Sequence, residues 1–469
     1  QAIDLLAKIK ANQHYLPRVA DQLDPVSFVH KIKVPTFLAC QWEDEQTGGY
    51  CPVLARHFTG TSKKWFTFTN GVHTDSLDPA TLNKMFDFLE LYVNGPGPLG
   101  TNPALVYSPL LNLPAPIILQ EAFGLPPTDL VTLPYDPIQT IPTYSAALKA
   151  FNATPRVTVR FDNGAGSTTP GNPVASYEHT YSSIPVAGTQ AKTWYLGTKG
   201  TLNSSKQTKS SLTGYTSNVN AGPATDFTGG TGGGGLWGNA TQWKWDWRQP
   251  GSTGKAPMKN NAVSFVTAPL KQNTTVIGSG AVYLYVRSST PDVDLQATVS
   301  EVRPDGQETF VQNGYLRASD RVLDHTSTGV MKQPSTELEP VMSLRPKDAH
   351  SMPAGKFTLV AVPLYYQGHA YRAGSRIRVT IAAPAGNQPV WAFANTKPGK
   401  ASTVELALGP VGTRAPSRLV LPVIPGQTIP TGYPACPSLR NEPCRKYAPT
   451  HNPALRGAAK VAAMPKSRY

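Results

Sequence analysis

The sequence predicts two fold classes in succession, an α/β part followed by an all-β part. Two observations carry this. Near the N-terminal end, two apolar runs with the length of buried parallel strands are each followed by a stretch with helical spacing. Between residues 151 and 425 the pattern changes to short segments divided by Gly and Pro turns, as in a two-sheet all-β domain. Composition agrees: 469 residues, long enough for two or three domains, contain 40 glycines, 45 prolines and only 15% charged residues, against roughly 25% for an average soluble domain.

The first strand is Val34-Pro35-Thr36-Phe37-Leu38-Ala39-Cys40, stopping at Gln41-Trp42-Glu43-Asp44 before the turn-prone Thr47-Gly48-Gly49. An aspartate just past the carboxyl end of a parallel strand sits where open α/β sheets place working residues. A short helix is expected over Cys51 to Phe58, then a second strand, Lys64 to Thr69, ending in Asn70-Gly71-Val72-His73. The histidine therefore falls on the same sheet edge as the aspartate. Leu82, Met85, Phe86, Leu89 and Tyr92 give Asp78 to Val93 a helical stripe, with Asp78-Pro79 as N-cap and first-turn proline. Gln1 to His30 reads as helix-like material entered in mid-domain, with Ile3 to Ile9 and Leu16 to Leu23 as helical segments. Strand, acid, helix, strand, histidine, helix is the closing order of an α/β-hydrolase.

These residues resemble the cocaine-esterase/X-Pro-dipeptidyl-peptidase-like (CocE/NonD) serine hydrolases, which include α-amino-acid ester hydrolases and glutaryl-cephalosporin acylases. The resemblance rests on Ile32-Lys33-Val34-Pro35, on the strand ending in Trp42-x-Asp44, and on the Gly/His turn at His73. It implies that Asp44 is the triad acid and His73 the base. That chemistry needs both groups: a serine hydroxyl is a poor nucleophile until an imidazole removes its proton, and a carboxylate must hold the imidazole in one tautomer. The alternative is that His73 only caps a strand and Asp44 only opens a loop. Glu43, Asp75 and Asp78 do not occupy the matching position, and His57 is expected on the surface of the intervening helix. Gln41 stands where the family commonly has glycine, and Asn70-Gly71 replaces its usual Pro-Trp. Neither change removes a catalytic group.

A nucleophile elbow needs Gly-x-Ser-x-Gly, because its strand-to-helix turn tolerates little bulk beside the serine. No serine in the chain meets that pattern: Ser62 has Gly60 but Lys64, Ser252 has Gly254 but Pro250, and Ser279 sits in Gly278-Ser279-Gly280. The resemblance places the serine far upstream of the acid, so the chain is expected to be the C-terminal portion of a longer enzyme or to work with a partner chain that carries the nucleophile.

Ala281 to Leu295, running into Val299 to Glu308, resembles the family's C-terminal jelly-roll domain. Its residues read as two alternating strands, a Pro304-Asp305-Gly306 turn and a third strand through Phe310 and Val311. Lys356 to Tyr366 and Ser375 to Ala383 continue the pattern, with Ala373-Gly374 as the turn between. The expected organisation is the C-terminal part of an α/β-hydrolase domain over 1–95, a Pro-rich connection over 96–150, a β-sandwich jelly-roll over 151–425 and a basic tail over 426–469. Asp292 and Asp294 lack a third carboxylate, so neither a metal nor another cofactor is expected.

Cys40 with Cys51 and Cys436 with Cys444 form two sequence-local pairs without zinc-type partners, which favours disulfides and a secreted or cell-envelope location, although spacing alone does not settle the pairing. The sequons at Asn152, Asn203, Asn239 and Asn273 would matter only in a glycosylating route. Trp237, Trp243, Trp245 and Trp247 follow a Gly-rich loop and read as a core or interdomain seam, or else as an aromatic substrate wall. Of the formal charge of +14 the tail supplies +6: from Pro437 onward seven basic residues face one acid, Glu442, and the tail is expected on the surface. No nucleic-acid motif and no apolar run of membrane-spanning length accompanies it.

The expected function is hydrolysis of a small-molecule ester or amide through an acyl-enzyme. A non-catalytic β-domain protein binding envelope glycan or a partner, and an acyltransferase using the same triad, are the alternatives; a homo-oligomeric state stays open.

Overall fold

The computed structural model describes residues 4–44, 47–95, 107–108, 113–125, 128–129, 131–169, 171–217, 260–384, 402–412, 415–436, 438–440, 442, 444–449 and 451–457. The strands are β1 (Thr36–Gln41), β2 (Lys64–Thr69), β3 (Tyr107–Ser108), β4 (Leu113–Pro114), β5 (Val157–Phe161), β6 (Tyr177–Tyr181), β7 (Gln190–Leu196), β8 (Thr201–Asn203), β9 (Leu212–Ser217) and β10 (Ala262–Thr267). Then come β11 (Thr274–Gly278), β12 (Ala281–Ser288), β13 (Asp294–Val302), β14 (Gln307–Arg317), β15 (Thr358–Pro363), β16 (Gln367–Tyr371), β17 (Arg376–Ala382), β18 (Ser402–Ala407), β19 (Arg418–Ile424) and β20 (Cys444–Lys446).

They form a four-stranded sheet in the order β1-β2-β5-β6, a fourteen-stranded sheet running from β20 to β9, and the short β3–β4 pair. In the first sheet β1, β2 and β5 are parallel and β6 is antiparallel to β5. β2 shows why the sequence chose this arrangement. Its residues are apolar on both faces, as a strand buried on both sides must be. Trp65 packs with Leu91, Ala147 and Phe151 from the helices on one face, while Phe66 and Phe68 face a second core. That second core includes Trp42 and takes Ile277, Ala370 and Ile424 from the larger sheet and Tyr366 from the connection ahead of β16, so the all-β part covers the face the helices leave open. The fourteen strands enclose the largest core, built on fully buried Val282, Leu284, Val299, Val311, Val360 and Val379.

The helix expected from Asp78 onward spans Pro79–Leu89 and continues as a π-helical turn over Glu90–Asn94. Asp78 caps it by accepting from the backbone N–H of Ala80 and Thr81. The predicted Cys51–Phe58 helix is a 3-10 turn, Cys51–Val53, running into the helix Leu54–His57.

Several expectations are corrected. Past residue 151, β5 and β6 still belong to the first sheet, β5 pairing with β2 and β6 with β5, and the larger sheet begins at β7. Within the Pro-rich connection, the helix Tyr144–Ala153 places Ala147 and Phe151 in the core beneath Trp65. β16, which sequence reading passed over, adds a strand between the two runs expected on either side of Ala373-Gly374. His57 is half-buried, not a surface residue. The tail is on the surface only in part: β20 pairs with β14, Arg440 and Glu442 are buried and Arg445 half-buried against partners of opposite charge, while Lys446 and Arg456 are exposed. The four clustered tryptophans and Ser252 lie outside the described residues.

Candidate active site

The site grows out of strand register. β1 and β2 run parallel from Thr36↔Lys64 to Gln41↔Thr69, and the Trp42 N–H donating to the Thr69 carbonyl at 2.9 Å carries the pairing one step further. Asp44 and His73 therefore leave the same sheet edge three and four residues past paired strand ends. His73 Nδ1 lies 2.7 Å from Asp44 Oδ2, with the aspartate side chain 8% exposed and the imidazole 43% exposed. An ionised carboxylate can only accept a hydrogen bond, so this contact makes Nδ1 the protonated ring nitrogen and Nε2 the basic one.

Local structure holds each partner. Asp44 Oδ1 accepts from the Thr47 N–H at 2.8 Å, the Asp44 carbonyl accepts from the Gly48 N–H, and the Cys40–Cys51 disulfide closes the loop at a Cα separation of 5.9 Å. His73 opens the 3-10 turn His73–Leu77, and Ser76 Oγ donates back to its carbonyl at 3.1 Å.

The other acids considered have different work. Glu43 Oε2 accepts from the Gly71 N–H at 3.0 Å; burial, reinforced by Glu442, pushes its carboxyl well up. Asp75 pairs with Arg440, and Asp78 caps its helix while pairing with Arg160. Ser279 is 3% exposed and donates to the Leu364 carbonyl at 2.6 Å, and Ser62 is exposed in a turn. Asp292 accepts from the Val293 and Ser319 N–H groups, while Asp294 pairs with Arg317. Cys436 and Cys444 are also joined, with a Cα separation of 5.9 Å.

Sequence reasoning missed Asn70, Asn163, His369, Arg440 and Glu442, which surround the histidine turn. Glu442 reaches Asn70 across 372 residues of sequence, so no local pattern could announce it. A cavity of about 340 Å³ lies at the junction of the two sheets, lined by Trp42, Ile184, Val186, Leu338, Tyr366 and Pro422; neither Asp44 nor His73 lines it.

Fold and site together are an α/β sheet edge that bears an acid–histidine pair and is backed by an all-β domain. Residues 149–398, over half the chain, match the family described as the X-Pro dipeptidyl-peptidase C-terminal non-catalytic domain, and the chain belongs to that family. Asp44 and His73 lie outside the matched residues. No curated protein matches the chain. Among solved structures, a CocE/NonD family hydrolase from Staphylococcus aureus is similar at a TM-score of 0.55 and 14% identity, over 90% of this chain and 60% of that one. A second structure of such a hydrolase from the same organism gives 0.53 and 15%, over 90% and 59%. An aminopeptidase from a marine sediment archaeon, Thaumarchaeota archaeon, gives 0.52 and 15%, over 90% and 60%. These likenesses establish a shared fold, and the chain spans about 60% of the length of those structures.

Proposed function

We propose that the chain is the C-terminal part of a serine hydrolase that cleaves an ester or amide acyl bond through an acyl-enzyme. The observation that carries this reading is the 2.7 Å contact between buried Asp44 and part-exposed His73 beyond adjacent parallel strands. In the proposed reaction a serine outside this chain, either upstream or on a partner chain, attacks the substrate carbonyl. His73 Nε2 takes the hydroxyl proton and passes it to the departing alcohol or amine as the carbon–heteroatom bond breaks. Water then attacks the acyl-enzyme, His73 takes its proton and returns it to the serine oxygen. Asp44 holds the ring and stabilises the imidazolium throughout.

A second observation supports a nucleophile from outside. Among the described residues β1 is bonded to β2 alone, although Phe37, Leu38 and Ala39 are apolar and remain half-exposed. An apolar parallel strand is normally flanked on both sides. The two disulfides are compatible with a secreted or envelope protein, and among the described residues no helix is long and apolar enough to cross a membrane.

Labelling native material with a fluorophosphonate, followed by intact mass and peptide mapping, tests the proposal. A labelled serine on a contiguous or co-purifying chain supports it; no labelled serine on either overturns it in favour of a binding role for the all-β domain.

A further inference from the structure

The turn carrying His73 is gripped by two residues from the far end of the chain. Arg440 Nε donates to Asp75 Oδ2 at 2.7 Å, and the same oxygen accepts from the Val72 N–H at 3.2 Å and from Asn163 Nδ2 at 3.3 Å. Glu442 Oε1 accepts from Asn70 Nδ2 at 2.7 Å. Positions on both sides of His73 are thus held by side chains two residues apart in sequence. Arg440 is itself anchored: its Nη1 donates to the carbonyls of Phe123 and Gly171, and its backbone N–H donates to Asn163. Glu442 Oε2 lies 3.3 Å from His369 Nδ1, and His369 Nε2 lies 2.9 Å from Glu301 Oε2. Asp75, Asn70, Arg440, Glu442, His369 and Glu301 are all at most 4% exposed.

Charge buried this deeply is a poor source of stability, because desolvation offsets most of the attraction. What a connected polar network supplies is a single geometry, since each bonded donor and acceptor loses heavily if the partner shifts. The geometry specified here is that of the histidine turn. We infer that Arg440 and Glu442 are positioning residues for His73, fixing the turn that presents its imidazole to Asp44 and tying it through His369 to the all-β domain. The purpose of this brace rests on the proposed hydrolase function; its existence is tested without it.

The test uses the complete protein with Arg440→Met, Glu442→Gln and, as a distant control, Arg317→Met. Two quantities are read: amide exchange in peptides covering residues 70–75, and the imidazole Nδ1–H resonance of His73, assigned by its loss in His73→Gln. Arg440→Met is expected to speed exchange in the turn by about tenfold or more, the scale of one lost charge-assisted hydrogen bond, and to shift the His73 resonance. Glu442→Gln, which keeps an acceptor for Asn70, is expected to give a smaller change of the same kind, and Arg317→Met none. An unmoved turn and resonance would overturn the inference, as would acceleration spread evenly over β12 to β15. Should Arg440→Met not fold, Arg440→Lys and Glu442→Gln carry the same comparison. Fluorophosphonate labelling reads the hydrolase proposal separately: a loosened turn without a labelled serine sinks that proposal and leaves the brace, and a labelled serine with an unmoved turn does the reverse.

Discussion

Asp44 and His73 lie 29 residues apart in sequence, yet their side chains meet at 2.7 Å because parallel strands in register end side by side. In the proposed hydrolase, Asp44→Asn is expected to lower kcat by about four orders of magnitude with little change in KM, since the wrong imidazole tautomer is then presented. Glu43→Gln should cost far less, its carboxylate being engaged with the Gly71 N–H. Steady-state kinetics on both variants decide the acid: equal losses would remove Asp44 from that role.

Gly71 has φ +149, and a Cβ there would stand 2.1 Å from Asp75 Oδ2 and 2.9 Å from Asn163 Nδ2. Gly95 also has positive φ, +77, but nothing lies within 4 Å of its notional Cβ. Gly95→Ala should therefore show backbone strain alone, about 1 kcal/mol, and Gly71→Ala at least about twice that. Thermal melts of the two variants test the difference; equal losses would mean that the turn relaxes around the methyl group.

Burial alone would depress the His369 imidazole, but Glu442 and Glu301 beside it outweigh burial and hold its pKa up at about 10. An unfolded histidine titrates near 6.5, so the stabilisation is complete below about pH 6.5 and fades as pH rises towards 10. Glu43, pushed up by burial, adds to stability in the same direction. Tm should fall across that alkaline window, and His369→Gln should flatten the slope; calorimetry at several pH values that returned parallel curves would count against the assignment.

The Cys40–Cys51 disulfide spans 11 residues and encloses Asp44. Replacing both cysteines by serine should destabilise the protein by roughly 3 kcal/mol through loop entropy, and reducing agent should then have a smaller effect on the variant than on the parent. Calorimetry with and without reductant measures both. An unchanged melting temperature would show that the loop is held by its other contacts.

Much of the α/β part was legible because its signals are local. The apolar runs of β1 and β2, the Asp78-Pro79 cap and the order of acid and histidine all follow from neighbours within a few residues. So did the strands β12, β13, β14, β15 and β17, whose alternation and Pro-Asp-Gly turn are local too. The place of β5 was not legible because it pairs with β2 across a long connection, and a pairing partner leaves no mark on a strand's own composition. The tail misled for a related reason: Arg440, Glu442 and Arg445 read as part of a solvated run until buried Asp75, His369 and Glu308 are placed against them.

What the sequence by itself determined is where β1, β2, the helix after Asp78 and the strands around the Pro-Asp-Gly turn form, where the acid and histidine fall relative to strand ends, and that Gly-x-Ser-x-Gly is missing from the chain. Backbone sterics and periodic burial act over a handful of residues and so are written there. Only tertiary structure decided that Arg440 and Glu442 clasp the His73 turn and that His369 links it to the all-β domain. Those contacts depend on the long-range packing of two sheets, and the carboxylates and cations involved look, in sequence, like any others on a surface.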